Sequence, residues 1–311
     1  MATSLTKPLT LPGPYSTSLP RLIYGTAWKK ERTNPLVHLA LTTGFRALDT
    51  AAQPRHYAEH HVASALRLAN IQHVVSRSDV FLQTKFSPPS AQDLETAPYD
   101  VQAPIAEQVR TSVEASLRKF TLGDEAGDGG GYIDCLLLHS PLPSLEETIE
   151  AWTAMAAFVP HRVRHLGISN VSLPVLRALC DTQGSGSTLP KPAVVQNRIL
   201  PGAYEPDLYE FCRERGIVFQ AFWTLSANPN LRESKPVGRV AEETGVSRPV
   251  AMYALLLGFE NFAVLDGTTS QDHMKEDLEG LEKVGRWMDG EGKQVWVECL
   301  KEFKELMGCQ P

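Results

Sequence analysis

NPLVHLALTTGFRALD (residues 34–49) holds one structural unit. Leu36, Val37, Leu39, Ala40 and Leu41 carry apolar side chains at the spacing of a helix with one buried face. Gly44, just past the last of them, is a usual helix stop. Arg46-Ala-Leu-Asp49 is then a run of strand length that ends on a carboxylate. The same alternation extends in both directions. Strand-like runs stand at LIYG (22–25), VFLQTK (80–85), IDCLLLH (133–139), HLGIS (165–169), VVQN (194–197), VFQAF (218–222) and AVLD (263–266). Continuous apolar runs of this length suit parallel strands buried on both faces. Helical periodicity fills the intervals at 57–69, 105–120, 145–158, 172–182 and 205–215. It continues through 237–258, as two helices broken near Ser247-Arg248-Pro249, and through 272–285 and 291–307.

Alternating strands and helices imply a parallel sheet with right-handed crossovers. Eight such units in 311 residues predict a closed (β/α)8 TIM barrel of the α/β class. The alternative, an open Rossmann sheet, would carry G-x-G-x-x-G after its first strand, and that turn is absent. We read residues 1–311 as a single barrel domain, with an irregular N-terminal extension at 1–20 and C-terminal helices over 272–307. The Pro-rich stretch 86–104 and the Gly-rich stretches 123–131 and 184–192 read as loops.

Composition narrows the function classes. Hydrophobic residues make up 42% and charged residues 21%, and the net charge of −6 comes with scattered basic residues, so there is no nucleic-acid footprint. The cysteines (Cys135, Cys180, Cys212, Cys299 and Cys309) are odd in number and form no C-x-x-C pair. They fit a reducing compartment better than a disulfide framework or a zinc ribbon. The first residues carry no charged-then-apolar signal pattern, and no apolar run approaches the ~18 residues that span a bilayer. The expectation is a cytoplasmic monomer with a small-molecule substrate and neither membrane nor nucleic acid as partner.

In such a barrel the active site lies at the C-terminal ends of the strands. The last residues of the second, third and fourth strand runs are Asp49, Lys85 and His139. Separately they could be a helix cap, a solvated lysine and a structural histidine. Together on one rim they point into one pocket as a titratable cluster. A proton donor completes the set. A phenol, with a reference pKa near ~10, becomes competent beside an ammonium group. Lys85 can supply that charge, Asp49 can hold Lys85, and Tyr57 follows in the loop DTAAQPRHY. His139 can orient a carbonyl. His56, His60 and His61 could suggest a metal, but a metal-dependent barrel hydrolase would place His-x-His at the end of the first strand, and none is there. We expect no metal.

G-F-R-A-L-D-T-A, Q-T-K-F, I-D-C-L-L-L-H-S-P, L-G-I-S-N and V-V-Q-N, in this order between about Leu22 and Leu278, resemble the successive signatures of the aldo-keto reductase family. The runs Q-P-R-H-Y-A-E and F-W-T-L-S-A-N-P resemble a branch of it seen largely in fungi. The resemblance implies a barrel that reduces an aldehyde or ketone with NADPH, NADH being the second candidate, through a tetrad of Asp49, Tyr57, Lys85 and His139. It places Gly25 and Thr26 beside the nicotinamide ribose, and Ser169, Asn170 and Gln196 on the carboxamide. Phe222 takes the ring-stacking position, which needs a face and not a hydroxyl. Leu225, Ala227 and Asn228 begin the loop over the pyrophosphate. Gly267, Thr268, Thr269, Ser270, His273, Glu276 and Asp277 fall on the segment for the adenosine and its 2′-phosphate. Trp28, His56 and Trp223 are assigned to the substrate pocket, Trp223 also adjoining the nicotinamide.

Four departures accompany the resemblance. The loop after Asp49 is longer than usual, which makes His56 the rival to Tyr57 in register. Trp223 stands where a small residue is usual. Gly267 and His273 replace a Lys and an Arg, leaving His273, Lys275 and the amides of the 267–270 turn as candidates for a phosphate. No long substrate loop follows the last helices. A barrel that binds the dinucleotide as a regulatory module, without turnover, is the alternative function.

Overall fold

The computed structural model describes residues 2–11, 13, 15–121, 131–181, 189–199 and 204–309; most of the two Gly-rich loops read above lies outside them. The chain enters through an antiparallel hairpin, β1 (Leu9–Leu11) and β2 (Thr17–Leu19), in which Leu9 pairs with Leu19 and Leu11 with Thr17. Eight parallel strands follow: β3 (Leu22–Gly25), β4 (Ala47–Asp49), β5 (Phe81–Phe86), β6 (Ile133–Leu138), β7 (Val163–Ser169), β8 (Val194–Arg198), β9 (Val218–Phe222) and β10 (Phe262–Asp266). They close in chain order, β10 pairing back onto β3. Each strand run read in the sequence has its strand here, within one or two residues at either end.

The helices lie outside. They are α1 (Thr33–Thr43), α2 (Glu59–Ile71), α3 (Ile105–Phe120), α4 (Leu145–Ala156), α5 (Leu173–Asp181), α6 (Pro206–Glu214), α7 (Pro229–Arg232), α8 (Lys235–Thr244), α9 (Arg248–Leu257), α10 (Gln271–Asp289) and α11 (Lys293–Leu306). Local signals set their ends. Gly44, at φ 128°, closes α1 by donating its amide to Ala40 and Leu41. Ser144 and Glu147 form a capping box at the start of α4. The break between α8 and α9 falls at Gly245, in the left-handed region, just before the Ser247-Arg248-Pro249 start. Two elements differ from expectation. Helix α2 begins at Glu59, leaving Tyr57 in the loop, and α7 is an extra short helix started by Pro229.

The N-terminal extension is not irregular, as the sequence had suggested. Leu11 and Leu19 are fully buried among Ile23, Ala47, Phe81, Val194, Val218 and Ala263, mostly the first residues of the barrel strands. The hairpin therefore plugs the N-terminal end of the barrel. Three-residue strands carry too little alternation to be read as such. Above the plug the interior turns polar, with Gln83, Gln196 and Gln220 hydrogen-bonded to one another across the axis at 2.9–3.0 Å.

Buried charges tie the strands from outside. Asp134 on β6 receives Arg77 at 2.8 Å, Arg164 of β7 at 2.9 Å and the Leu82 amide of β5 at 2.9 Å. Glu59 receives Thr84 at 2.6 Å, Ser116 at 2.8 Å and Lys119 at 2.7 Å, pinning the start of α2 against β5 and α3. Leu11→Ala removes a side chain from the plug and should cost about 2–5 kcal/mol, read as a lower urea midpoint. A cost below about 0.5 kcal/mol, the scale of surface changes, would show the hairpin to be peripheral to the core.

Candidate active site

The C-terminal ends of the strands open into a cavity of about 890 Å³. It extends from the barrel axis, across the ends of β9 and β10, to the first turns of α9 and α10 in the outer layer. At its floor, Lys85 on β5 lies 2.6 and 2.8 Å from the two carboxylate oxygens of Asp49 on β4, with a third contact to the Thr50 carbonyl at 2.9 Å. Both side chains are almost wholly buried. Asp49 Oδ1 also accepts from the Gln83 amide at 2.6 Å and the Gln196 amide at 3.0 Å. The polar interior of the barrel is thus continuous with the ion pair.

Tyr57 stands over this pair. Its ring centroid is 5.0 Å from Lys85 Nζ and 5.8 Å from the His139 ring, edge to face. Burial, and then the Asp49 charge, hold its phenol above the ordinary value, so Tyr57 stays protonated. The sequence had suggested that Lys85 would pull this value down. Asp49 sits close enough to cancel the ammonium, and desolvation then decides. Burial lowers Lys85 itself, against the opposing pull of Asp49. His139, just beyond β6, is pushed down to about 3 by burial, Lys85 and His56, and so is neutral. Its Nδ1 meets the buried Ser87 hydroxyl at 2.6 Å; with Ser87 donating, Nε2 is the ring's donor into the cavity. His56, the rival in register, faces away: its ring stacks on Trp28 with centroids 3.7 Å apart. Asp49, Tyr57, Lys85 and His139 therefore converge, and His56 lines the wall beside them.

The family model for the aldo/keto reductase family matches residues 21–251, most of the chain. The chain belongs to the aldo/keto reductase family. It is 32% identical over 211 residues to an NAD/NADP-dependent indole-3-acetaldehyde reductase of Schizosaccharomyces pombe, a match covering 66% of this chain and 61% of that protein. It is 28% identical over 277 residues to a methylglyoxal reductase of Salmonella typhimurium, covering 83% of this chain and 88% of that one. Among solved structures, a Brucella melitensis aldo/keto reductase superposes with TM-score 0.67 at 22% identity, covering 89% and 100% of the two chains. A Bombyx mori aldo-keto reductase in complex with NADP superposes with TM-score 0.68 at 18% identity, covering 90% and 93%. At these identities the structures speak for the fold.

In this aldo/keto reductase barrel the other residues singled out by sequence divide into two groups. Gly25, Trp28, Ser169, Asn170, Gln196, Phe222, Trp223 and Leu225 line the cavity, as do Gly267, Thr268, His273, Glu276 and Asp277. Thr26 and Asn228 lie beneath the surface. Thr26 donates to the Asp49 carbonyl at 2.8 Å, and Asn228 donates to the Ile199 and Thr224 carbonyls at 2.7 and 2.9 Å. Thr269 and Ser270 shape the turn, Ser270 capping α10. Trp28 and Trp223, which follow β3 and β9, are exposed at the mouth. His60 and His61 stack on each other at 4.1 Å, outside this cavity.

Sequence reasoning missed Gln53, Arg198, Ser247, Tyr253 and Asp266 in the lining. Asp266 is last in its strand run, the position that singled out Asp49, so the same rule carried through all eight runs finds it; Arg198 lies one residue beyond the run read in the sequence, which ended at Asn197. Tyr253 projects inward from an outer helix and has no such signal.

The low value of His139 has a consequence for stability. The unfolded imidazole takes a proton near ~6.5, and the folded one does so only near about 3. There is no penalty above that upper value, and one grows as pH falls towards the lower. The urea midpoint should fall between about pH 6.5 and 4, and His139→Asn should flatten the fall. Buried His165, also lowered, retains its share. An unchanged slope in the variant would place the linkage elsewhere.

Proposed function

We propose that this protein reduces an aldehyde or ketone to the alcohol, as a carbonyl reductase of the alcohol dehydrogenase type, using NADPH, or NADH as the second cofactor, and Tyr57 as proton donor. The observation that carries the reading is the convergence of a neutral phenol, a buried Lys85–Asp49 pair and a neutral imidazole on the floor of one cavity.

The cavity fits the cofactor. Its volume lies in the upper part of the range of roughly 300–1,000 Å³ for small-molecule and cofactor sites. Buried polar atoms without partners, His56 Nδ1 and Asp266 Oδ2, belong to residues of its wall. Ser169, Asn170 and Gln196 would hold the carboxamide, the Phe222 face would take the ring, and the loop from Leu225 would lie over the pyrophosphate. When bound, the dihydronicotinamide supplies hydride to the carbonyl carbon. The chain supplies the rest. His139 Nε2 and the Tyr57 hydroxyl bind the carbonyl oxygen from two sides and fix its face. Tyr57, kept protonated, gives its proton as negative charge develops on that oxygen. Lys85 stabilises the phenolate left behind, and Asp49 holds Lys85 in place. The relatives named for indole-3-acetaldehyde and methylglyoxal both act on aldehydes. The exposed Trp28 and Trp223 rings offer an open, aromatic-walled mouth to such substrates.

Tyr57→Phe keeps the ring and removes the proton. Turnover on an aldehyde panel should fall by about a hundredfold or more, the scale of a lost general acid, while NADPH still quenches tryptophan fluorescence. Lys85→Met should also abolish turnover. His56→Phe should change KM more than kcat. If His56→Phe abolishes turnover and Tyr57→Phe leaves it intact, the donor is His56 and the assignment fails.

A further inference from the structure

Carboxylates dominate the outer end of the cavity, where Asp266, Glu276 and Asp277 line the wall. Asp266, the last residue of β10, is 2% exposed and lines the cavity, and its Oδ2 has no hydrogen-bond partner among the described residues. Asp277 on α10, 6% exposed, lines the same wall. Three of the amides at this turn are already used. Thr268 N donates to Asp266 Oδ1 at 2.9 Å, Ser270 N to the Thr268 hydroxyl at 3.2 Å, and His273 N to the Ser270 hydroxyl at 3.4 Å. Lys29, the nearby buried cation, gives its ammonium to the Gly267 carbonyl at 2.9 Å. Gly267 itself contributes no side chain. A 2′-phosphate here would meet two carboxyl groups, and the one Lys or Arg among the described residues of the cavity lining, Arg198, lies against Phe222 and Trp223 instead.

Given the cavity as the dinucleotide site, we infer that Asp266 and Asp277 bind the adenosine ribose through its hydroxyls, so that the protein takes NADH at least as tightly as NADPH. A carboxylate accepts a hydrogen bond from a ribose 2′-hydroxyl, whereas a phosphate in the same place calls for Arg or Lys. Burial, and then the Asp266 charge, push Asp277 up to about 8, and burial raises Asp266 as well. The two carboxyls also hydrogen-bond to each other, so the proton kept by Asp277 lies between them and their remaining oxygens are left to accept from a diol. Of the sequence-based candidates for holding the phosphate, Lys275 is exposed and outside the cavity lining, the Thr268 and Ser270 amides are taken by side chains, and His273 is, among the described residues, the one cationic-capable side chain that lines this end.

Calorimetric titration of the wild type with NADH and NADPH tests this without turnover. NADH should bind at least as tightly. Asp266→Asn should weaken NADH by about tenfold, the scale of a lost charge-assisted hydrogen bond, and leave NADPH unchanged or tighter. Gly267→Lys meets nothing within 4 Å at its Cβ and should fold; it should tighten NADPH alone by about tenfold. Wild-type protein that binds NADPH at least tenfold more tightly than NADH overturns the inference. So does an unchanged NADH-to-NADPH ratio in Asp266→Asn, or no NADPH gain in Gly267→Lys. Binding of neither dinucleotide by the folded wild type overturns the reading of the cavity itself.

Discussion

An ammonium and a carboxylate buried side by side at the top of the barrel govern the rest of the structure. Taking Lys85 and Asp49 out of water costs several kcal/mol per ion, which their attraction repays only when the remaining donors and acceptors are filled. They are filled here. Thr50 supplies a carbonyl to Lys85, and Gln83 and Gln196 supply amides to Asp49. Gln220 then bridges the two glutamines, so four strands contribute to a single network. A barrel closed on an apolar layer alone would be easier to stabilise. The polar layer is what gives Tyr57 a neighbour of fixed charge and position.

That layer needs support from below and from outside. The hairpin plug keeps water from the N-terminal end, so the interior grades from apolar to polar to open cavity along one axis. On the outer surface, the Asp134 and Glu59 clusters hold adjacent elements in register. The Glu59 cluster bears directly on the site. It fixes the first residue of α2, two positions after Tyr57, and Gln53 O receives the Tyr57 amide at 3.0 Å. The long loop after Asp49 is thereby clamped at both ends, which is why Tyr57 turns inward and His56 turns out against Trp28.

The barrel was legible because its strands are short, apolar and evenly spaced between helical periods, and eight such units leave few topologies. The convergence of Asp49, Tyr57, Lys85 and His139 was legible because three of them stand at, or within one residue of, the ends of strands. The parts that escaped have physical reasons. A three-residue strand has no period to detect, so the plug read as irregular. Phenol protonation depends on how far Asp49 cancels Lys85, a matter of distance that sequence does not carry. Thr26 and Asn228 are polar residues in loops beside a pocket, and nothing in their neighbours distinguishes facing the pocket from holding the loop beneath it.

Three of the six non-glycine residues with positive φ among the described residues stand where the cavity opens. Trp28 at φ 64°, Asn170 at φ 53° and Trp223 at φ 58° all adopt the left-handed region, and all three line the cavity. For a tryptophan this conformation costs about 1–2 kcal/mol, less for an asparagine. Neighbouring contacts offset the cost. Trp28 N donates to the His56 carbonyl at 2.8 Å, and Asn170 Nδ2 donates to the His139 carbonyl at 2.9 Å. Trp223 is held by its own loop, its carbonyl accepting the Ala227 amide at 3.2 Å. Trp28 and Asn170 are thus bonded to the backbone of two histidines that line the cavity, His56 in its wall and His139 in its floor, which ties rim to floor at these two points. Relaxing Trp28 would release the His56 carbonyl and loosen the loop that presents Tyr57. The exposed Trp28 and the buried Tyr57 are consequently positioned by a single piece of backbone, so a substitution that moves one is expected to shift the other.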